Sequence, residues 1–543
     1  MRALLAVTAG WMAMGLISGV CLAQADRAGP GAVWAHTADP GQRPPAPPRE
    51  FRGAWVATVA NIDWPSKRGL PADEQRREAL AILDKAAELN LNALVLQVRP
   101  TADAIFPSTL EPWSEFLTGE SGKPPSDGYD PLAFWVSEAH KRGIQLHAWF
   151  NPFRARHFDA KLPDAASHIS KTRPDLVRSY DRYLWLDPGE EEAQTHSLRV
   201  IMDVVNRYDI DGVHFDDYFY PYPEKDKPFP DDAPYQRYKA SGGKLERDAW
   251  RRSNIDRFVK AVHDQVKAAK PHVMVGISPF GIWRPGFPPG VQGFDAYANL
   301  HADARMWLRE GWLDYVAPQL YWKVDAPQQR YDRLLGWWLA NSDKRRYVWP
   351  GNFTSRILAA EPEGAPPAAD RKGRESWEAP EILRQIEITR EQCNRGESGN
   401  IHFSFVALLQ NRRGIADALK SGPYARPALP PAIAWSATAA SPDGHRLLPA
   451  PVIKVAQADG RLTVEWTGNT EAKRWVFWTR TGTRWEPTFL PGESTVQSMP
   501  ANAGLTAVAV QGIDRFGIQG DAGVVTPRQP AAAEPAAPAG ARN

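Results

Sequence analysis

Asp211-Gly212-Val213-His214-Phe215-Asp216-Asp217-Tyr218 is the stretch on which the reading of this chain turns. Successive side chains of a strand point to opposite faces, so Gly212, His214 and Asp216 share one face while Val213 and Phe215 share the other. A strand buried on both faces should be a nearly continuous apolar run. Polar residues at every second position therefore point to an interior that opens into a site. Gly212 leaves room on a crowded strand, Asp216 emerges at its C-terminal end, and Asp217 begins the loop.

The same pattern extends outward. Strand-like runs fall at 51–59, 93–99, 144–151, 212–217, 273–280, 315–322, 347–352 and 400–407. Helical segments lie between them: 71–90 carries Ala79, Ile82, Leu83, Ala86 and Leu89 at helical spacing. Asp130-Pro131 caps and opens another helix, which stops at Gly143. Segments 191–208 and 248–270 follow the same logic. Strands alternating with helices predict a parallel sheet, and eight strands close a (β/α)8 TIM-type barrel, here over 51–425. An open doubly wound sheet is the rival, but no Gly-rich phosphate fingerprint follows the first strand.

Residues 1–25 read as a signal peptide, with a basic start, an apolar run and an A-x-A site at Ala23-Gln24-Ala25. Ile17-Ser18-Gly19 is an imperfect lipobox, because Val20 intervenes before Cys21. The expectation is an exported, periplasmic protein; cleavage after Ala25 and outer-membrane lipidation at Cys21 both stay open. Cleavage would leave Cys393 as the only cysteine, so stability must come from buried core. Residues 26–50, rich in Pro, Gly and Ala, read as a tether. Past Pro427, a linker (426–448) leads to short alternating runs, expected to form a small immunoglobulin/fibronectin III-like β-sandwich over 449–527. The Ala/Pro-rich tail, 528–543, is expected to be disordered.

The net charge of +2 in 543 residues comes from interspersed signs. No basic stripe asks for nucleic acid or a membrane surface. Tryptophan is abundant, at 22 residues; near loops, indoles stack on the apolar faces of sugar rings. A monomer without cofactor or metal is expected. His140 and His147 are too far apart to chelate from one helix, and no cysteine cluster exists.

Polar residues recur at period two toward the C-terminal ends of the other strands. Gln97 and Arg99 share a face of the second strand, and His147 and Asn151 a face of the third, with Trp149 between them. Ser278 sits near the end of the fifth strand, Gln319 and Tyr321 share a face of the sixth beside Trp322, and His402 and Ser404 share a face of the eighth. One such residue is easily a satisfied core group. A set spread over six strands and biased to the end where barrels open is a binding cleft. Glycoside hydrolysis needs a carboxylic acid of raised pKa and usually a second carboxylate. Asp216 and Asp217 are the catalytic candidates. Gln97, Arg99, His147, Trp149, Asn151, His214, Ser278, Gln319, Tyr321 and Trp322 are the substrate-binding ones. Asp63, Asp103 and Asp325 read as loop caps or surface groups, which leaves the partner carboxylate open. A substrate-assisted route, in which an N-acetyl oxygen attacks, would need none of them.

The fourth strand resembles signatures of barrel glycosidases. The α-amylase pattern Asp-Gly-x-Arg-x-Asp matches Asp211 to Asp216 except that His214 replaces arginine, which would make Asp216 a nucleophile. The chitinase pattern Asp-Gly-x-Asp-x-Asp-x-Glu matches less well, with His214 and Tyr218 where acids belong. A more specific resemblance runs through Phe51-Arg52-Gly53-Ala54-Trp55-Val56, Gln97-Val98-Arg99-Pro100, Gly128-Tyr129-Asp130-Pro131-Leu132 and His147-Ala148-Trp149-Phe150-Asn151-Pro152. It continues in Gly276-Ile277-Ser278-Pro279-Phe280-Gly281 and Pro318-Gln319-Leu320-Tyr321-Trp322. In these blocks the chain resembles the glycosyl-hydrolase-like family 10, which includes a divisome-associated peptidoglycan hydrolase. The resemblance implies an envelope glycoside hydrolase that cuts cell-wall glycan, preferably denuded peptidoglycan strands, with divisome or cell-wall association. Two other readings remain: a barrel that binds cell-wall glycan without cutting it, and a metal-dependent polysaccharide deacetylase in which His147, His214, His402 and Asp216 converge.

Overall fold

The computed structural model describes residues 34–359, 370, 373–394, 396–440, 446–468, 470–502 and 504–527. The signal segment 1–25 with Cys21, and the tail 528–543, lie outside the described residues.

The core is a parallel sheet of Phe51–Val56, Ala93–Arg99, Gln145–Phe150, Gly212–Phe215, Met274–Ile277, Tyr315–Val316, a divided seventh strand, and Gly399–His402. The seventh strand, Tyr347–Val348 and Gly351–Asn352, pairs through its first piece with the sixth strand and through its second with the eighth. Backbone bonds from Trp349 N to Val316 O (2.9 Å) and from Ile401 N to Pro350 O (3.1 Å) join the sheet's two margins. The result is a TIM-like α/β domain. Proline explains why strands five to seven are shorter than their apolar runs: Pro279, Pro318 and Pro350 have no N–H to give to the ladder.

Outer helices cover the sheet, among them Ala72–Glu88, Pro131–Lys141, Glu191–Arg207, Arg247–Ala269, Tyr331–Ala340 and Ala379–Gln392. Asp130 caps its helix by accepting from the Ala133 N–H, with Pro131 at the first helical position. Between the third strand and Glu191–Arg207 the chain inserts a small antiparallel sheet of Arg154–Arg156, Val177–Tyr180 and Tyr183–Leu186. It sits at the C-terminal end of the third strand and walls one side of the barrel mouth.

Residues 446–527 supply three strands of one antiparallel sheet and four of a five-stranded one, packed around an apolar cluster that includes Ile453, Leu462, Val464, Trp466, Trp475, Phe477, Val508 and Val510. The fifth strand of the larger sheet is Trp34–His36, paired with the last strand, Gln519–Pro527. Part of the expected tether is therefore an edge strand. The expected linker is also partly packed: Leu429, Ile433 and Ala437 are buried. Trp435 Nε1 donates to Asp314 Oδ1 at 2.7 Å, Ile433 N to Phe516 O at 2.9 Å, and Arg515 pairs with Asp209 at 2.8 Å. Asp209 and Asp314 precede strands four and six. The C-terminal unit is thus docked on the N-terminal end of the barrel, opposite its mouth.

Candidate active site

Two glycines allow the barrel interior to be filled. A Cβ on Gly212 would lie 2.5 Å from His147 Nδ1, and one on Gly276 would lie 2.0 Å from the Tyr315 ring. The space they leave holds a column of bonded side chains. Trp55 Nε1 donates to His214 Nε2 at 3.1 Å, and both His214 Nδ1 and His147 Nδ1 lie 2.9 Å from the Tyr315 hydroxyl. An indole nitrogen only donates, so His214 Nε2 is the acceptor and Nδ1 carries its proton toward Tyr315. The Tyr315 hydroxyl then donates to His147 Nδ1, which places the other proton of this chain on His147 Nε2. That atom is buried without a partner among the described residues. Burial lowers both imidazoles, His147 to about 4 and His214 well below its ordinary value, so both are neutral.

Above this column lie the carboxylates. Asp216 and Asp217 follow the last residue of the fourth strand and are each 7% exposed. Asn151 Nδ2 donates to Asp216 Oδ2 at 2.5 Å. Asn151 Oδ1 in turn accepts from Gln97 Nε2 (2.6 Å) and Arg154 Nη2 (3.0 Å). The Gln97 carbonyl end is held by the Thr58 and Val59 N–H groups at 3.0 and 2.9 Å. Asp217 accepts from Gln319 Nε2 at 3.2 Å and from the Tyr222 hydroxyl. Gln319 also donates to Ser278 O at 3.1 Å, and Ser278 Oγ bonds His214 Nε2 at 3.1 Å. Polar side chains from six strands and loops thus converge on one carboxylate pair.

Burial raises the Asp216 carboxyl to about 7; Asp217 adds to the rise, while Arg154, Asn151 and Tyr218 oppose it. Asp216 Oδ1 has no partner among the described residues. Asp217 is also raised by burial, against the Tyr222 and Gln319 hydrogen bonds. This pair can hold a proton near neutral pH beside an accepting oxygen.

Gln97, Asn151, Ser278 and Gln319 join the carboxylate network, and Tyr321 and Trp322 are half-buried at the mouth, Tyr321 stacked on Phe353 at 4.8 Å. Four expectations are corrected. Arg99 does not face the cleft: it is fully buried, paired with Glu111, and donates to Asn151 O and Pro152 O at 2.7 and 3.0 Å. His147 lies a layer below, beside Phe51 and Tyr315. His214 is fully enclosed in the column. Trp149, 6% exposed, packs in the inner apolar cluster with Trp55 and Tyr315. Asp63 caps the helix Phe405–Leu409 through the Val406 N–H (2.7 Å) and also holds the Ala57 N–H (2.8 Å). Asp103 accepts from Thr101 N at 2.7 Å, and Asp325 is exposed. His402 bonds Thr354 and Tyr424; among the described residues no three His, Cys, Asp or Glu groups are placed to share a metal ion.

Arg154 and Tyr222 were not singled out from the sequence. Arg154 follows Pro152, where strand alternation stops, and Tyr222 stands in irregular chain; each signals only as a charged or aromatic residue close to a motif. A cavity of about 920 Å³ lies at the other end of the barrel, against the C-terminal unit, and contains neither carboxylate.

A TIM-like domain with an interacting carboxylate pair at the C-terminal end of its fourth strand defines a barrel of the glycosidase class. The chain belongs to the family described as glycosyl hydrolase-like 10, whose model matches residues 50–354. It is 42% identical over 398 residues to "Glycosyl hydrolase YngK" of Bacillus subtilis (strain 168), covering 71% of this chain and 74% of that protein. To "Glycosyl hydrolase DigH" of Escherichia coli (strain K12) it is 38% identical over 323 residues, covering 55% and 72%. Among solved structures, the PgaB (BpsB) glycoside hydrolase domain from Bordetella bronchiseptica aligns with a TM-score of 0.40 at 13% identity, covering 69% of this chain and 98% of that one.

Proposed function

We propose that this protein is a glycoside hydrolase of bacterial cell-wall glycan, preferring denuded peptidoglycan strands, with Asp216 as its general acid. The observation that carries the reading is the Asp216 carboxyl, raised to about 7 at the barrel mouth, with Oδ1 unpartnered among the described residues. A group protonated near neutral pH can deliver its proton to a glycosidic oxygen as the bond breaks. Asp217, fixed by Gln319 and Tyr222, acts as its partner: it orients the attacking N-acetyl oxygen or stabilises the charge developing at the anomeric carbon. Family membership and the relatives named glycosyl hydrolases support glycosidase chemistry. Their names do not supply the substrate, which rests on the cleft and on the motif resemblance. The signal-like first 25 residues support action outside the cytoplasm, and the C-terminal unit, proposed as an immunoglobulin-like sandwich, is assigned to targeting.

The test is release of reducing ends from purified denuded glycan strands by the wild type and by Asp216→Asn. A drop of ~100-fold or more is expected for loss of a general acid. Peptide-bearing sacculi should be cut more slowly than denuded strands. Binding of the strands by the wild type without any release of ends would make the protein a glycan binder instead.

A further inference from the structure

Beside the carboxylates lies a second concavity, of about 460 Å³, walled by the inserted small sheet and the loop after the fourth strand. Ligand pockets typically measure roughly 300–1,000 Å³. Its rings are Tyr180, Tyr183, Trp185, Tyr218 and Tyr222, with Arg154 at its base. It is continuous with the acid pair: Tyr222 donates to Asp217, and Arg154 donates to both Tyr218 and Asn151, which holds Asp216.

Three properties describe what fits there. Tyr222 is 43% exposed although its hydroxyl is tied to Asp217, so its ring is held in place with a face open. Tyr183 is half-buried, its ring packed against His157 and Phe158 at 5.5 Å each and Trp185 at 6.2 Å, and its hydroxyl makes no hydrogen bond among the described residues, leaving the ring as what it offers. Glu224 has its backbone N–H and its Oε1 occupied by Tyr180 and Lys227, whereas Oε2 is buried with no partner among the described residues. Fixed aromatic faces with a waiting carboxylate oxygen suit a pyranose ring that stacks through its C–H face and donates a hydroxyl or amide N–H. The Arg154 nitrogens are already committed to Pro100, Tyr218 and Asn151, and Asp181 and Glu224 line the same wall. Those three partners are neutral, so the Arg154 guanidinium remains a cation, and with Lys225 it balances the two acids, leaving the rings and the free Glu224 oxygen to define what binds.

We propose that this aromatic pocket is a sugar subsite that takes one N-acetylhexosamine unit next to the bond being cut, a proposal that rests on the glycosidase reading of Asp216. The experiment is calorimetric binding of an N-acetylglucosamine hexamer to full-length Asp216→Asn protein, with pocket substitutions added to that background. Tyr183→Ala is expected to weaken binding about tenfold, the size of losing one good ring contact, and Tyr183→Phe to leave it unchanged. Glu224→Gln, a nearly isosteric change in the loop after the fourth strand, should weaken binding severalfold. Equal affinity in Tyr183→Ala and Glu224→Gln, or no binding of the hexamer by the parent, overturns the subsite. Turnover by the wild type is measured separately. Hexamer binding that depends on Tyr183 in a protein releasing no reducing ends from any glycan would sink the hydrolase reading and uphold the pocket.

Discussion

Asp216→Asn should make the protein more stable at alkaline pH while silencing it. In the folded state this carboxyl titrates near 7 rather than at its ordinary 3.8. Between those values the native state holds a proton that the unfolded chain has lost, so stability falls as pH rises and levels off above about 7. A rise of about three units corresponds to about 4 kcal/mol withheld from the folded state at pH 8. The asparagine removes that charge and can still accept from Asn151 Nδ2 through its carbonyl. Its amide, however, takes the place of Oδ1, where no acceptor waits, and an unmet buried donor costs about 1–3 kcal/mol. The net gain is therefore about 2 kcal/mol, or about 2–4 °C in midpoint for a domain of this size. Differential scanning calorimetry of both proteins at pH 8 and pH 4.5 checks it, because the gain should shrink as the wild-type carboxyl becomes protonated. An Asp216→Asn protein that is less stable than wild type at pH 8, or equally stabilised at both pH values, refutes a carboxyl strained by burial.

Asn151→Ala removes the donor that favours the charged form of Asp216. A hydrogen bond to a charged group is worth roughly 1.5–3 kcal/mol, so the Asp216 limb of the kcat/KM pH profile should move up by about one to two units; an unmoved limb would separate Asn151 from the acid. Arg99→Met should cost about 3–5 kcal/mol by stranding Glu111, whose carboxyl Arg99 and His196 hold down at about 2. Because Glu111 is stabilised in its charged form, the loss should be largest at neutral pH and fade as pH falls toward 2. Thermal melts at several pH values read it, and a specific rise in KM without destabilisation would return Arg99 to the cleft. A chain ending after Ala440 keeps Trp435 on Asp314 and should cleave soluble glycan normally, whereas one ending at Ala425 should melt several degrees lower; loss of turnover in the longer form would show that the C-terminal unit shapes the mouth.

The eight barrel strands were legible because period-two polarity and Gly/Pro punctuation are local signals, and each expected run overlaps an observed strand. Their C-terminal limits were not, because Pro279, Pro318 and Pro350 end regular pairing while the chain keeps its direction. The ladder resumes as isolated bridges, Phe280 with Gln319 and Gln319 with Gly351. The inserted sheet escaped notice because its strands are three or four residues long, too short for alternation to register. Trp34–His36 escaped for the same reason, and its partner strand lies nearly the whole chain away. In the site, Asp216, Asp217, Asn151 and Gln319 were legible from strand position. Arg99 and His147 were misplaced because period two tells which face a residue occupies but not its depth along the barrel axis.

Depth separates the polar interior into a support and a site. In the lower column Trp55, His214, Tyr315 and His147 form one directed chain, and the groups left over among the described residues are neutral N–H donors, on His147 and on the neighbouring Trp149. An unpaired neutral group of that kind costs the fold little beside a buried charge. At the mouth the imbalance is of another kind. Two carboxylates stand together, both raised by burial, and one oxygen of Asp216 is left without a donor among the described residues. Ser278 joins the two levels, bonding His214 through its hydroxyl and receiving Gln319, which holds Asp217, at its carbonyl. The column therefore fixes the height and direction of the residues that carry the acids, while the strain sits in the acids themselves. Histidines on the axis of a barrel look like ligands or bases in a sequence; here their pairing makes them posts, and the group left unpaired and chargeable is the one that emerges at the end of the fourth strand.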